Sequence, residues 1–110
     1  MDTRQSLPPI DKALSATCQD RAIELADSGE LAHVDFEGRG PGQQAMAHGL
    51  PPGVYGEVLG SGPSPEAVWR AWLASPTHKG VLVEPGWTVW GWGSAPRGAV
   101  TVYVLRFYKP

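Results

Sequence analysis

The side chains able to do chemistry near neutral pH are few: His33, His48, His78 and Glu57. Imidazole titrates close to neutrality, ligates metals through its neutral nitrogen and serves as a general acid or base. Glu57 lies in an otherwise apolar segment, Val54-Tyr55-Gly56-Glu57-Val58-Leu59. A carboxylate there either faces solvent from one side of a strand or is buried with a partner. A His–Glu–His set made of His33, Glu57 and His78 suits zinc or another divalent cation with an open position for water. It equally suits acid–base catalysis by Glu57. The spacings are long, so only folding could assemble the set. His48 precedes Gly49 at a predicted helix end, where it complements the helix dipole at the surface. Cys18 is the single cysteine, so neither an intrachain disulfide nor a Cys-based zinc site can form. Its place on a helix face predicts a small buried core residue. No Gly-x-Ser-x-Gly elbow, phosphate loop or dinucleotide fingerprint occurs.

These groups must be positioned by a short series of elements. Pro8-Pro9 keeps the N-terminal arm extended as far as Ile10. Asp11 then caps a helix over Lys12–Ser28, with Leu14, Cys18, Ala22 and Leu25 on one face and Gly29 as its stop. Residues 30–43 read as a loop carrying Leu31, His33 and Phe36. A short helix follows over about 43–48, then a strand from Val54 to Leu59. Ser64-Pro65-Glu66 is a helix start with Val68, Trp69, Trp72 and Leu73 as its apolar stripe. Ser75-Pro76 starts a second short helix at once, running to about Val83. Alternation through 87–92 and 100–107 predicts a hairpin with its turn at 94–98. Helices first and antiparallel strands last point to an α+β domain. Most of the five tryptophans are expected in the core, with Trp87 the one at the surface.

Composition sets the outer limits. One hundred and ten residues suit one domain spanning 1–110. The formal charge of −2 argues against non-specific nucleic-acid binding. No run of 18 apolar residues could cross a membrane, and the first residues carry no signal-peptide h-region.

Four segments, in order, resemble the CAP superfamily (cysteine-rich secretory, antigen 5 and pathogenesis-related 1 proteins), in particular its bacterial SCP-like branch. Leu7-Pro8-Pro9-Ile10, with Leu14, Ala22, Ala26 and Leu31-Ala32-His33, resembles the family's opening. Gly56-Glu57-Val58-Leu59 resembles its Gly-Glu-Asn signature, and 64–73 the helix that follows. Ser75-Pro76-Thr77-His78-Lys79-Gly80 is similar to the bacterial Ser-Pro-Gly-His motif. The resemblance implies an αβα sandwich: a central antiparallel sheet with helices on both faces, here without the family's N-terminal helix. It also implies an extracellular or cell-surface binding module with a His/Glu-lined cleft for a divalent metal or small apolar ligand. Lipid, sterol or protein partners go with it. Carried over by position, His33 is the family's first cleft histidine, Glu57 its Gly-Glu glutamate and His78 the histidine of the bacterial motif, which makes these three the expected metal ligands; Ser75 and Trp87 are the candidate ligand-binding residues. Two other readings accompany this one: a zinc-dependent, peptidase-like hydrolase using His33, His78 and Glu57, and a structural domain with a vestigial cleft. Val58 replaces the signature asparagine, Gln44 replaces an arginine, and Ser75 stands where other members carry a second glutamate. The family's full tetrad is therefore absent.

Overall fold

The computed structural model describes residues 8–110. The part of the expected arm before Pro8, Leu7 included, lies outside the described residues. The elements are α1 (Lys12–Ser28), α2 (Pro41–Ala47), β1 (Val54–Gly62), α3 (Pro65–Ala74), α4 (Pro76–Val83), β2 (Val89–Arg97) and β3 (Val100–Lys109). Local chemistry sets the boundaries. Asp11 Oδ2 accepts the Leu14 N–H at 2.8 Å, and Gly29, at φ +81°, closes α1. Ser64 Oγ accepts the Ala67 N–H at 3.2 Å, with Pro65 in the first turn of α3. Ser75 both ends α3 and opens α4.

The strands form one antiparallel sheet in the order β1-β3-β2. Side chains alternate between its faces, and each face builds its own core. On one face, Leu59, Ala95, Val102 and Val104 pack against Cys18, Ala22, Leu25 and Ala26 of α1. On the other, Val58 and Phe107 pack against Val68 and Trp72 of α3, joined by Val81 of α4. The result is α+β, with helices on both sides of a central antiparallel sheet.

Helix α1 approaches β2 to backbone contact. A Cβ on Gly91 would stand 2.6 Å from Ser15 N, and one on Gly93 would stand 2.4 Å from Gln19 N. The same approach seals the sheet edge. The Gln19 amide exchanges two hydrogen bonds with the Ser94 backbone, and Ser15 Oγ accepts the Trp92 N–H. Upstream, Trp90 N donates to Pro9 O and Asp11 N donates to Trp90 O. The strands end later than expected, and β2 begins at Val89 rather than Trp87. β1 reaches Gly62 and β2 continues through Pro96 to Arg97, because proline is tolerated on an edge strand. Helix α2 starts two residues early, with Pro41 as its first residue.

Candidate functional site

The site forms where the loop after α1 crosses β1, on the face that carries α1 and α2. Glu57 of β1 points into this side, opposite its antiparallel neighbour Arg106 of β3. Glu57 Oε2 accepts from Arg106 Nε at 2.8 Å, and both side chains are about 1% exposed. The rest of the guanidinium is also satisfied. Nη1 donates to Thr17 Oγ1 at 3.0 Å, and Nη2 donates to Gln44 Oε1. Removing an arginine from water is expensive, and this network offsets the cost by giving each nitrogen an acceptor.

The other Glu57 oxygen, Oε1, lies 2.7 Å from His33 Nδ1. A carboxylate only accepts, so Nδ1 carries the proton in both charge states of the ring. Nε2 is left with no partner among the described residues. The His33 side chain is 53% exposed. Its hydrogen bond to the Glu57 carboxylate holds the imidazolium above its ordinary range, against the opposing effect of partial burial.

Buried side chains also hold the loop that carries His33. Gln44 Nε2 donates to the His33 and Arg39 carbonyls, and Arg21 Nη2 donates to those of Ala32 and Val34. Asp35 Oδ1 accepts the Glu37 and Arg39 N–H groups and closes the tip. A fixed backbone thus presents His33 on a loop that also exposes Leu31, Val34 and Phe36, the last 92% exposed.

His33 and Glu57 therefore meet, with Glu57 buried against a partner rather than facing solvent. His78 does not join them. It sits on α4, which packs through Val81 on the opposite face of the sheet, where a Cβ on Gly56 would meet Val81 and Trp87. The reason is the period-two alternation of β1: Gly56 faces α4, so Glu57 faces away from it. His78 Nδ1 is 2.8 Å from Ser75 Oγ, and Ser75 serves that local contact at the α3–α4 junction. Trp87 is partly buried, donates from Nε1 to Val81 O and stacks on Phe107, with ring centroids 5.6 Å apart. Trp69 and Trp92, 46% and 47% exposed, are the surface tryptophans instead. His48 is exposed, as expected, and lies 3.1 Å from Asp20 Oδ2.

The donor set does not fit a divalent cation. Both Glu57 oxygens are engaged, and His78 is across the sheet. Among the described residues, no group of three or more His, Cys, Asp or Glu side chains is placed to hold a metal ion. Sequence reasoning missed Arg106, and with it Thr17 and Gln44 as its acceptors. The available signal was a cation interrupting the inward-facing row Val102, Val104, Arg106.

Helices on both faces of this antiparallel sheet, in this order, define an SCP-domain fold of the CAP type. Over 97% of its length the chain superposes on 80% of an outer surface protein from Borrelia burgdorferi, with a TM-score of 0.87 and 26% identity. It also superposes, over 98% of its length, on 35% of an extracellular SCP-domain protein from Bacillus anthracis, with a TM-score of 0.84 and 16% identity. The chain thus spans about a third of that second protein. No family model matches the sequence, and no curated protein matches it. No helix among the described residues is long and apolar enough to cross a membrane.

Proposed function

We propose that this chain is an extracellular SCP-like binding module that recognises its ligand at His33. One observation carries the reading. A half-exposed histidine is oriented by a buried carboxylate, which a fully buried arginine locks in turn. Preorganising one surface imidazole this way suits recognition, since its rotamer is fixed before a ligand arrives. Glu57 enlarges the cationic fraction of His33, so Nε2 is suited to an anionic or hydrogen-bond-accepting group. Leu31, Val34 and Phe36 suit an apolar portion beside it. The extracellular setting is supported by the two structural neighbours, one an outer surface protein and one extracellular.

Phenylacetate, a carboxylate next to an aromatic ring, is the probe. Nitrogen NMR of the imidazoles should show a saturable shift of the His33 Nε2 resonance at millimolar phenylacetate, while His48 and His78 stay in place. His33→Gln should abolish the response. An unresponsive His33 would overturn the proposal in favour of a structural domain with a vestigial cleft. Calorimetric titration with zinc chloride addresses the hydrolase reading. Saturable heat in the wild type, lost in His33→Gln, would replace the binding module with a metal site.

A further inference from the structure

The sheet face opposite His33 is only half covered. Helices α3 and α4 lie over β1 and the near side of β3, with Trp72 and Val68 against Gly60, and Val81 and Trp87 against Gly56. Among the described residues, no helix covers the β2 side. Two adjoining hollows of about 460 and 470 Å³ occupy it, and they share Trp69, Trp90 and Leu105 as a common wall. Trp87 and Phe107 floor the first; Trp72, Trp92 and Tyr103 line the second. Trp87, Phe107 and Trp90 form a near-parallel stack, with interplanar angles of 28° and 20°.

We propose that this aromatic trough binds an extended, proline-rich peptide. Three observations select that chemistry, and none of them depends on the His33 site. First, the chain already makes such a contact in cis. Pro8 forms part of the wall of the first hollow, and the extended Pro9–Asp11 backbone pairs with Trp90 in a parallel bridge. A proline-rich strand in the trough continues this interface. Second, the trough carries donors without acceptors. The indole N–H groups of Trp72 and Trp87 are spent on Leu59 O and Val81 O. Those of Trp69, Trp90 and Trp92 have no partner among the described residues, and Trp69 and Trp92 are themselves 46% and 47% exposed. Proline-rich backbone offers carbonyl acceptors and almost no N–H groups, so it complements these unpartnered indole donors. An acyl chain would leave those donors unused, and a sugar would need more polar side chains than Ser94, Tyr103 and Glu84 provide. Third, two hollows divided by a tryptophan ridge match the alternating rings of a polyproline II helix. Such a helix is ordered before binding and loses little entropy on docking.

The probe is a short acetylated polyproline amide, with a glycine–serine peptide of equal length and sodium palmitate as comparisons. Proton–nitrogen correlation spectra of the whole chain resolve the five indole N–H groups. Polyproline should shift Trp69, Trp90 and Trp92 saturably, and by more than Trp72 and Trp87, whose N–H groups stay bonded to Leu59 O and Val81 O. Trp92→Ala and Trp69→Ala should each weaken binding about tenfold, as truncation of an aromatic anchor does. Both residues are half exposed, so the variants should keep the wild-type circular dichroism; if one does not, the wild-type indole shifts decide. Indoles unmoved by millimolar polyproline would overturn the proposal. So would equal shifts from the glycine–serine peptide, or shifts from palmitate alone.

Discussion

Arg106 is the residue on which most of the site's energetics rests. It is fully buried, and among the described residues its charge is answered by a single carboxylate, Glu57. Glu57→Gln keeps the shape and removes that answer. Breaking a buried pair from one side should cost about 3–5 kcal/mol. Urea denaturation followed by circular dichroism measures this; a loss below about 1 kcal/mol would mean that neutral acceptors, Thr17, Gln44 and the new amide oxygen, satisfy the guanidinium without a carboxylate. His33 gives a second prediction, on pH. Its folded-state affinity for a proton is raised by Glu57, so the native state binds the proton more tightly than the unfolded chain. That contribution is fully present below about pH 6.5 and is lost as pH rises through the higher folded value. Scanning calorimetry should show the wild-type melting temperature declining over that window. His33→Gln should flatten the decline, partially and not wholly, because solvent screens a half-exposed pair. The sequence singled out His33 and Glu57, since an imidazole in a loop and a carboxylate in an apolar strand are visible anomalies. It did not reveal that they are separated from His78 by the thickness of the sheet. That depends on which face each β1 residue takes, and with glycines at 56, 60 and 62 the strand has little apolar alternation to read.

At the scale of elements, packing distance decides which glycines matter. Gly93 faces the α1 backbone, and an added methyl would meet Gln19 N, Gln19 Cα and Cys18 C within 2.6 Å. None of these atoms belongs to a side chain that could rotate away. Gly93→Ala should therefore lift α1 off the sheet and cost about 1–3 kcal/mol by overpacking. Gly80, inside α4, has open space around its Cβ direction and no positive φ. Gly80→Ala should be neutral or add about 0.5–1 kcal/mol from helix propensity. Thermal melts of the two variants are the check, and equal behaviour would contradict the close contact between α1 and β2. Both helices of the pair after β1, and α1 itself, were readable because their starts carry hydrogen-bonding caps or prolines at defined places. The residue types at 94–98 predict a turn, whereas β2 continues through Pro96, which is tolerated because β2 lies at an edge. Edge position is a property of the strand order β1-β3-β2, which no local pattern encodes.

For the molecule as a whole, Cys18 provides an internal reporter. Its thiol lies between α1 and the sheet with no exposed surface, and burial pushes its pKa up to about 12. A protonated, inaccessible thiol does not react, so alkylation requires an opening that frees α1. Helix α1 supplies one side of an entire core layer, through Cys18, Ala22, Leu25 and Ala26, and its Thr17 also holds Arg106. Freeing it removes that layer and uncovers the ion pair together. Opening at Cys18 should therefore coincide with global unfolding. In urea, the midpoint for modification by a thiol reagent, read at times short against unfolding, should match the circular dichroism midpoint. Glu57→Gln and Gly93→Ala should move both midpoints equally. Labelling well below the dichroism transition would show instead that α1 detaches as a separate unit, leaving the sheet with α3 and α4 folded behind it.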